Sequence, residues 1–553
     1  MVRGSVMSTP HQPESPHLSE QRIPTGLPSV SEDPEKIRNY LSDESAAMHG
    51  SADAVFFPTD ANQVSALLLA AQQQEKPVTI SAGGTSITGS RVPTGGGWVL
   101  SVERMRDVQP VAFTVPEGYD HVRHGDMSFY LDVEAQSAIA PVGITLTEFA
   151  EALARFGLAY PPDPTEMTAM LGGTVATNAS GARSYHYRPT RSWIRALEVV
   201  LPTGGTVWLK RGEHRAHGRR IEFPVRTSDD AVARGAEIPT GYPVFTSKNA
   251  AGLYLAEGMD LVDLFVGSEG ILGVITAVQV ELVQIPRDVV TTVAFFRSVE
   301  DTLSFVALLR ANRAETTVAD APGAPLSLEY FDRRALGFMR GAFPEIPRDA
   351  TGAVLFEFVF ERPAAHNPYP DRRTLRGWQA LLGKHNARAD WSVTREDSAT
   401  IRQFRHALPE AVNAWVRARV GKLGTDMAVP PRHFRRMLDA YRQAEECGVQ
   451  TVCFGHIGDC HLHLNFLPED NEQLSVARSA YRELAQRAVE LGGTISAEHG
   501  VGKKSIEDEQ GRTVPYLEMM LGREGLRAIH TVKRALDPGF ILNRGNMVPQ
   551  EYR

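Results

Sequence analysis

Leu171-Gly172-Gly173-Thr174-Val175-Ala176-Thr177-Asn178-Ala179-Ser180-Gly181-Ala182-Arg183 is the stretch on which the reading of the fold turns. Three prolines precede it in Tyr160-Pro161-Pro162-Asp163-Pro164-Thr165-Glu166 and fix an extended backbone. The small residues that follow leave the main chain bare enough for a flat ring or a diphosphate to lie directly against it. Two other stretches share that character. Ser81-Ala82-Gly83-Gly84-Thr85-Ser86-Ile87-Thr88-Gly89 follows a strand expected over 77–80, and its amides can cradle a phosphate. Gly267-Ser268-Glu269-Gly270-Ile271-Leu272-Gly273-Val274-Ile275-Thr276 opens a strand through Val278, Val280 and Leu282. Three close-approach loops in one region suit one long ligand. The first is not a Rossmann fingerprint, because its spacing differs from G-x-G-x-x-G and Val99-Leu100-Ser101-Val102 beyond it reads as strand. The Walker lysine is missing as well.

A second constellation carries different chemistry. Gly455-His456-Ile457-Gly458-Asp459-Cys460-His461-Leu462-His463-Leu464-Asn465 sets three imidazoles beside a carboxylate. His461, His463 and Asn465 share one parity and face one side of a strand, while Gly455 and Gly458 allow a bend that brings His456 to His463. Two converging imidazoles usually want a third metal ligand, often a carboxylate. Gly492-Gly493-Thr494-Ile495-Ser496-Ala497-Glu498-His499-Gly500-Val501-Gly502 offers one, in glycine-rich backbone. The rival is a structural zinc site on Cys453, His456, Cys460 and His463. Ligands so crowded leave little chain for a tetrahedral shell, and that reading gives the intervening Gly-Asp no purpose.

At 553 residues the chain exceeds one core, so two or three domains are expected. Its 42% apolar and 22% charged residues are those of a soluble globular protein, and a net charge of -8 without a long basic block argues against nucleic acid. The three cysteines, Cys447, Cys453 and Cys460, fall in one short window and form no disulfide framework. There is neither a transmembrane-length apolar run nor the apolar core of a signal peptide, so a cytoplasmic protein, at most peripheral to a membrane, is expected. Residues 1–35, rich in Ser, Pro, His and Glu, read as a disordered leader, with order beginning near Ala54. Thr59 or Asp60 caps a helix whose inner face is Val64, Leu67, Leu68 and Ala71.

Taken in order, the first loop, the Pro-Asp-Pro and Gly-Gly-Thr-Val-Ala-Thr-Asn-Ala-Ser-Gly run, Gly-Ser-Glu-Gly-Ile-Leu-Gly, Gly-His-Ile-Gly-Asp, Ala-Glu-His-Gly-Val-Gly and the tail Leu536-Asp537-Pro538-Gly539-Phe540-Ile541-Leu542-Asn543 form a family pattern. The chain resembles the FAD-linked oxidases of the vanillyl-alcohol oxidase and p-cresol methylhydroxylase type, in the branch of D-lactate, glycolate and D-2-hydroxyglutarate dehydrogenases, from about Ala54 to Val548. That resemblance implies an α+β fold: a two-lobed FAD-binding domain over 50–285, a cap with an antiparallel sheet over 286–510, and a C-terminal segment over 511–553 that returns to the flavin. It assigns FAD to Ala82, Gly83, Gly84, Thr85 and Ser86, to Pro164, Gly172, Gly173, Thr177, Asn178, Gly181 and Ala182, to Gly273 and Ile275, and to Asn543. Relatives that bind FAD covalently often carry His where this chain has Thr85, so dissociable FAD is expected.

In the cap the resemblance makes His456, His463 and Glu498 ligands of a divalent metal (zinc, or manganese or iron) and His499 the catalytic base. Arg405 and Lys422 become the clamp on a substrate carboxylate, and Asn465 joins the catalytic set. Lys422 stands four residues before Asp426, where relatives often place it two before. Cys460 and His461 replace a frequent Gly-Asn, and Asn543-Arg544-Gly545-Asn546 replaces Asn-Pro-Gly-Lys. The implied reaction oxidises a D-2-hydroxy acid, D-lactate-like, to the 2-oxo acid by hydride transfer to flavin N5. Glycolate or D-2-hydroxyglutarate are the alternative substrates. Reoxidation falls to an external quinone, cytochrome, electron-transfer flavoprotein or oxygen, since no cysteine cluster suits iron–sulfur, and the expected assembly is a homodimer. Glu498 and His499, adjacent in sequence, can serve one site only if the chain bends at Gly500 and Gly502. Readings of other classes explain less: a zinc hydrolase leaves the flavin loops idle, and a non-catalytic flavin subunit has no use for the histidines.

Overall fold

The computed structural model describes residues 26–226, 231–286, 289–311, 325–359, 372–391, 397–417, 419–508 and 510–549. Three β-sheets organise it. In the smallest, Ala54–Phe57 and Val78–Ser81 each run parallel to Trp98–Ser101 between them. Asp60 caps the connecting helix Ala61–Gln73 by accepting from Gln63 N at 3.0 Å. Val64, Leu67, Leu68 and Ala71 are its buried face, as their helical spacing predicts. Most of the expected leader lies outside the described residues, but its boundary at 35 is too late. Ser29–Ser31 pairs antiparallel with Ala54–Phe57, and the helix Pro34–Arg38 buries Ile37 against Val55, Phe57 and Val99. One apolar side chain with three partners outweighs the polar composition around it.

The second sheet has eight antiparallel strands in the spatial order 231–237, 220–226, 206–210, 194–200, 274–281, 137–141, 127–132 and 120–124. Val274–Glu281, entered from the third glycine loop, lies inside it between Ile194–Val200 and Ser137–Pro141. The cap carries the third sheet, antiparallel in the order 388–391, 289–296, 352–359, 325–332, 450–455, 461–467 and 423–424, with Met427–Ala428 also paired to His461–Leu467. Strand alternation supplies both faces of that sheet. Phe356 and Phe358 pack on Trp378 and Phe305, while Leu355 and Phe331 pack on Leu336, Phe404 and Leu408 from the opposite layer of helices.

Three segments distant in sequence meet on one acidic residue. Glu269, in the third glycine loop, accepts from Val501 N through Oε1 and from Gly502 N through Oε2, each at 2.7 Å, and is buried. Burial pushes its carboxyl up to about 7, and the two donated N–H groups work against that rise. Gly500 and Gly502 take φ of +75° and +51°, and a Cβ on Gly502 would stand 2.2 Å from Thr88 O. Only glycine fits that bend.

The C-terminal tail closes on the same residue. Leu542 bridges to Val78, extending the first sheet by a parallel contact. Asn543 accepts from Ile80 N at 2.7 Å and donates to Glu269 O at 2.7 Å, holding φ at +39°, which asparagine tolerates better than most residues. Buried Lys533 donates to Ile271 O, Asp537 Oδ2 and Leu542 O, fastening the last helix, Glu518–Leu536, to both the third loop and the tail.

Replacing Glu269 by Gln turns one acceptor into an amide facing an N–H. The variant should lose about 1–3 kcal/mol in denaturant unfolding, and hydrogen exchange at Val501 and Gly502 should accelerate. Unchanged exchange at those two amides would show that Glu269 does not hold the loop.

Candidate active site and metal centre

Between the first two sheets and the cap lies a cleft open to solvent. Ala82, Gly83, Gly84, Thr85 and Ser86 line it from the first loop, Pro164, Gly172, Gly173 and Thr177 from the second, and Gly273, Ile275 and Asn543 complete the set. The glycines here serve close packing between loops. A Cβ on Gly83 would approach Met170 N and Thr168 O at 3.3 Å, and one on Gly172 would stand 2.7 Å from Val142 Cβ. The walls are therefore mainly backbone and small side chains, the surface a flat ring and a diphosphate need.

Three residues expected at the cofactor do not line this cleft. Asn178 is spent on structure, donating to Asn249 O at 3.1 Å and accepting from Arg191 N at 3.0 Å. Gly181 faces the proline loop, where a Cβ would meet Asp163 O at 1.9 Å, and Ala182 is buried beside it. Arg91 lines the cleft although sequence reading passed over it; its guanidinium lies against Gly84 and donates to Asn39 O at 2.7 Å.

Glu498 and His499 line the same cleft. Behind them stand the imidazoles. His456 Nε2 lies 3.3 Å from Glu498 Oε2, and His463 Nε2 lies 3.3 Å from Glu498 Oε1. A separation of this size is the edge of a tetrahedron with centre-to-corner bonds of about 2.0 Å, the usual length of a zinc–imidazole or zinc–carboxylate bond. His461 joins them, with one candidate ligand atom each from His456, His461, His463 and Glu498 falling within 4.8 Å of one another. His461 Nε2 stands 2.8 Å from Asp426 Oδ1, while Nδ1, 3.9 Å from Glu498 Oε2, is buried without a hydrogen bond and offers a lone pair that a cation would use. Burial and neighbouring His463 push its pKa down to about 3, so it is neutral. The residues present fit a divalent ion.

The far ring nitrogens of the two expected ligands are fixed by partners of their own. His456 Nδ1 meets Glu329 Oε1 at 2.6 Å, and His463 Nδ1 meets Thr425 O at 2.9 Å. Burial pulls the pKa of His456 down, but Glu329 and Glu498 outweigh it and raise it to about 9. A metal must therefore displace a proton there. Glu498 is held well below the usual carboxylate range: burial opposes ionisation, and Lys248, then His456, override it.

Asp426 explains how two consecutive residues serve one site. Its carboxylate accepts from Ser496 Oγ at 2.6 Å and from His499 N at 3.0 Å, drawing 496–499 into a bend around it. His499 Nδ1 stands 3.1 Å from Asp426 Oδ2, which leaves Nε2 free to face outward, 3.7 Å from Glu498 Oε1. The pKa of His499 is raised because Asp426 outweighs burial.

The carboxylate clamp is only partly assembled. Arg405, on the helix Asp397–Val416, places Nε 3.9 Å from Glu329 Oε2, behind His456. Lys422 is not brought to the site: it is exposed and donates to Asn413 Oδ1 at 3.0 Å. It immediately precedes Leu423–Gly424, the strand at the edge of the cap sheet. Lys248 reaches the cluster instead, 2.8 Å from Glu498 Oε2 with its side chain 4% exposed. Asn465 is buried and packs its Oδ1 toward Gly424.

The Cys453 and Cys460 zinc reading fails on strand parity. Cys453 pairs with Leu464 and Phe454 with His463, so the cysteine points away from the imidazoles, and among the described residues no metal-competent cluster contains a cysteine. The Gly-Asp between them has a separate use. Asp459 accepts from Ser184 Oγ at 2.7 Å, and Gly458 packs flat against Tyr185, docking the histidine turn onto the second flavin loop. Arg183 strengthens that contact with paired bonds to Glu357 at 2.8 and 3.2 Å. Glu329 and Glu357 were legible as lone acids in the apolar runs Leu326–Phe331 and Val354–Phe358, where a charge is seldom buried without a partner.

Known proteins resemble both halves of the chain. The family model for the FAD binding domain matches residues 52–210, and that for the C-terminal domain of FAD linked oxidases matches 285–547. A glycolate oxidase subunit, GlcD, of Bacillus subtilis is 27% identical over 93% of both chains. A D-lactate dehydrogenase of Archaeoglobus fulgidus is 27% identical over 89% of this chain and 90% of its own. An alkyldihydroxyacetonephosphate synthase structure shares the fold at a TM-score of 0.60 and 16% identity, covering 94% of this chain and 83% of that one. The bare-backbone cleft, the acid and imidazole that line it, and matches spanning both halves of the molecule make this chain a member of the FAD-linked oxidases, in the D-lactate and glycolate branch of the vanillyl-alcohol oxidase and p-cresol methylhydroxylase type.

Proposed function

We propose that the chain oxidises a D-2-hydroxy acid of the D-lactate kind to the 2-oxo acid, using non-covalent FAD and a divalent ion. The observation that carries this reading is the shared wall: Glu498 and His499 line the same cleft as the glycine loops. Bound FAD supplies a hydride acceptor, and a zinc, manganese or iron ion on His456, His463 and Glu498 supplies the charge that acidifies a hydroxyl. The protein's own groups do the rest. His499, with Nδ1 turned to Asp426, receives the hydroxyl proton at Nε2 as the C2 hydrogen leaves with its electron pair. Arg405, about a quarter exposed, presents its guanidinium to the substrate carboxylate, which fixes the face from which that hydrogen departs. Asn465 shares a strand face with His463, two residues on.

The electrons then pass to an external acceptor: a quinone, a cytochrome, an electron-transfer flavoprotein or oxygen. A relative from Arabidopsis thaliana, 26% identical, carries the name D-lactate dehydrogenase [cytochrome], which supports a one-electron carrier. The glycolate oxidase name of the Bacillus subtilis relative keeps glycolate as the second substrate to test. Among the described residues no helix is long and apolar enough to cross a membrane.

Anaerobic mixing with a panel of D- and L-2-hydroxy acids should bleach the flavin fastest with a D-acid. Reduction by L-acids alone, or by alcohols lacking a carboxylate, would defeat the proposal. With Thr85 in the first loop, acid precipitation should leave FAD in the supernatant; colour retained in the pellet would reveal a covalent link.

The roles of the two histidine types separate by mutation. His499→Ala should keep its metal and slow flavin reduction by about 10²–10⁴. His463→Ala should lose metal, measured by elemental analysis, and regain part of its activity when metal is added. The opposite pattern would reverse the assignment.

A further inference from the structure

Lys248 comes from the flavin side of the molecule, in Ser247-Lys248-Asn249-Ala250-Ala251, and enters a cluster otherwise built by the cap. The backbone that follows it is pinned to both halves of the molecule. Asn249 Oδ1 accepts from Ala251 N at 3.0 Å and Thr494 Oγ1 at 2.6 Å, Asn249 O accepts from Asn178 Nδ2 at 3.1 Å, and Ala250 N donates to Ser496 O at 3.0 Å. The ammonium is delivered from a fixed point.

Its target is the ligand carboxylate itself. Glu498 Oε2 has Lys248 Nζ at 2.8 Å and His456 Nε2 at 3.3 Å, while Oε1 has His463 Nε2 at 3.3 Å. An ammonium has no lone pair and cannot be a ligand. Beside a ligand oxygen it acts in two ways: it repels a nearby divalent ion, and it competes for the electron density that the oxygen would donate. Both effects are large at such range, because a unit charge in a partly buried site is poorly screened. Neither effect is needed to fold the loop, which Asn249 and Asp426 already hold.

We propose that Lys248 is a built-in cation of the metal centre, which loosens the divalent ion's hold on Glu498 and adds positive charge facing an anionic hydroxy acid. This rests on the metal reading of His456, His463 and Glu498. The role is one of positioning and charge. Lys248 weakens the carboxylate as a donor, so the ion keeps more of its own charge for a bound hydroxyl.

The direction of the effect separates this role from a structural prop. If Lys248 merely supported Glu498, its removal would weaken metal binding; as a competing cation, its removal strengthens it. The FAD-loaded protein, stripped of metal with a chelator, is titrated with zinc against a chromophoric competitor. Lys248→Met should bind zinc about 10- to 100-fold more tightly than the unchanged protein, the scale of removing one poorly screened charge. Lys248→Gln, which keeps a hydrogen bond without charge, should follow it, and Lys248→Arg should stay near the starting affinity. Retained flavin absorbance reports that each variant is folded. Zinc affinity that is unchanged or lower in both neutral variants overturns the lysine's role alone. Absence of zinc binding in the unchanged protein, or full binding by His463→Ala, overturns the metal centre and the lysine's role together.

Discussion

Two backbone N–H groups, those of Val501 and Gly502, end on the carboxylate of Glu269, and the site depends on that arrangement. Glu269 belongs to a loop that lines the flavin cleft, and the amides belong to the turn that carries Glu498 and His499. The same residue offers its carbonyl to Asn543 and Asn546 from the tail. One acidic residue thus fixes three segments distant in sequence, and its side chain is buried where no water competes for those bonds. The positive φ values at Glu269, Gly500, Gly502 and Asn543 are the geometric consequence of so many strands of chain converging on one point.

Asp426 performs the complementary task within the cap. Its carboxylate folds the 496–499 segment inward so that an acid and an imidazole, which a flat strand would send to opposite sides, face one cluster. The imidazoles arrive from a hairpin, Gln450–Gly455 and His461–Leu467, whose tight turn is seated on the second flavin loop through Asp459 and Gly458. Metal ligands, base and cofactor walls are therefore positioned against one another by polar contacts, while the apolar cores lie one layer further out.

The parts of this arrangement legible in the sequence are those where chemistry forces residue type. Glycine loops announce themselves because only glycine leaves the backbone bare, and the His-x-His and Glu-His pairs because few other patterns gather so many donors. The helix Ala61–Gln73 and its cap were readable from spacing alone. What escaped were the residues whose role depends on long-range pairing. Lys248 lies 250 positions from Glu498, and Glu329 lies 127 from His456. A lone acid in an apolar run marks Glu329 as buried, but no local pattern names the partner of either residue. Lys422 misled for the converse reason: a motif suggested it, but it is exposed and bonded to Asn413. Asn178 and Gly181 kept a cofactor-like signature while serving the packing between loops, because a close approach of backbone to backbone selects the same small residues as a close approach of backbone to ligand.

The charge pairs that join the two halves have a meaning for how such molecules can be recombined. Arg183 and Lys248 are carried by the flavin half, and Glu357 and Glu498, their partners, by the cap. The Lys248–Glu498 pair is well shielded from water and the Arg183–Glu357 pair partly so. A hybrid that grafts a foreign cap onto this flavin half would strand Lys248 and leave Arg183 with only Asp163, 3.9 Å away, unless the newcomer brought acids to the same two places. Exchange of caps between members is thus constrained at two registers of the interface, much as a lock constrains which key blanks are worth cutting.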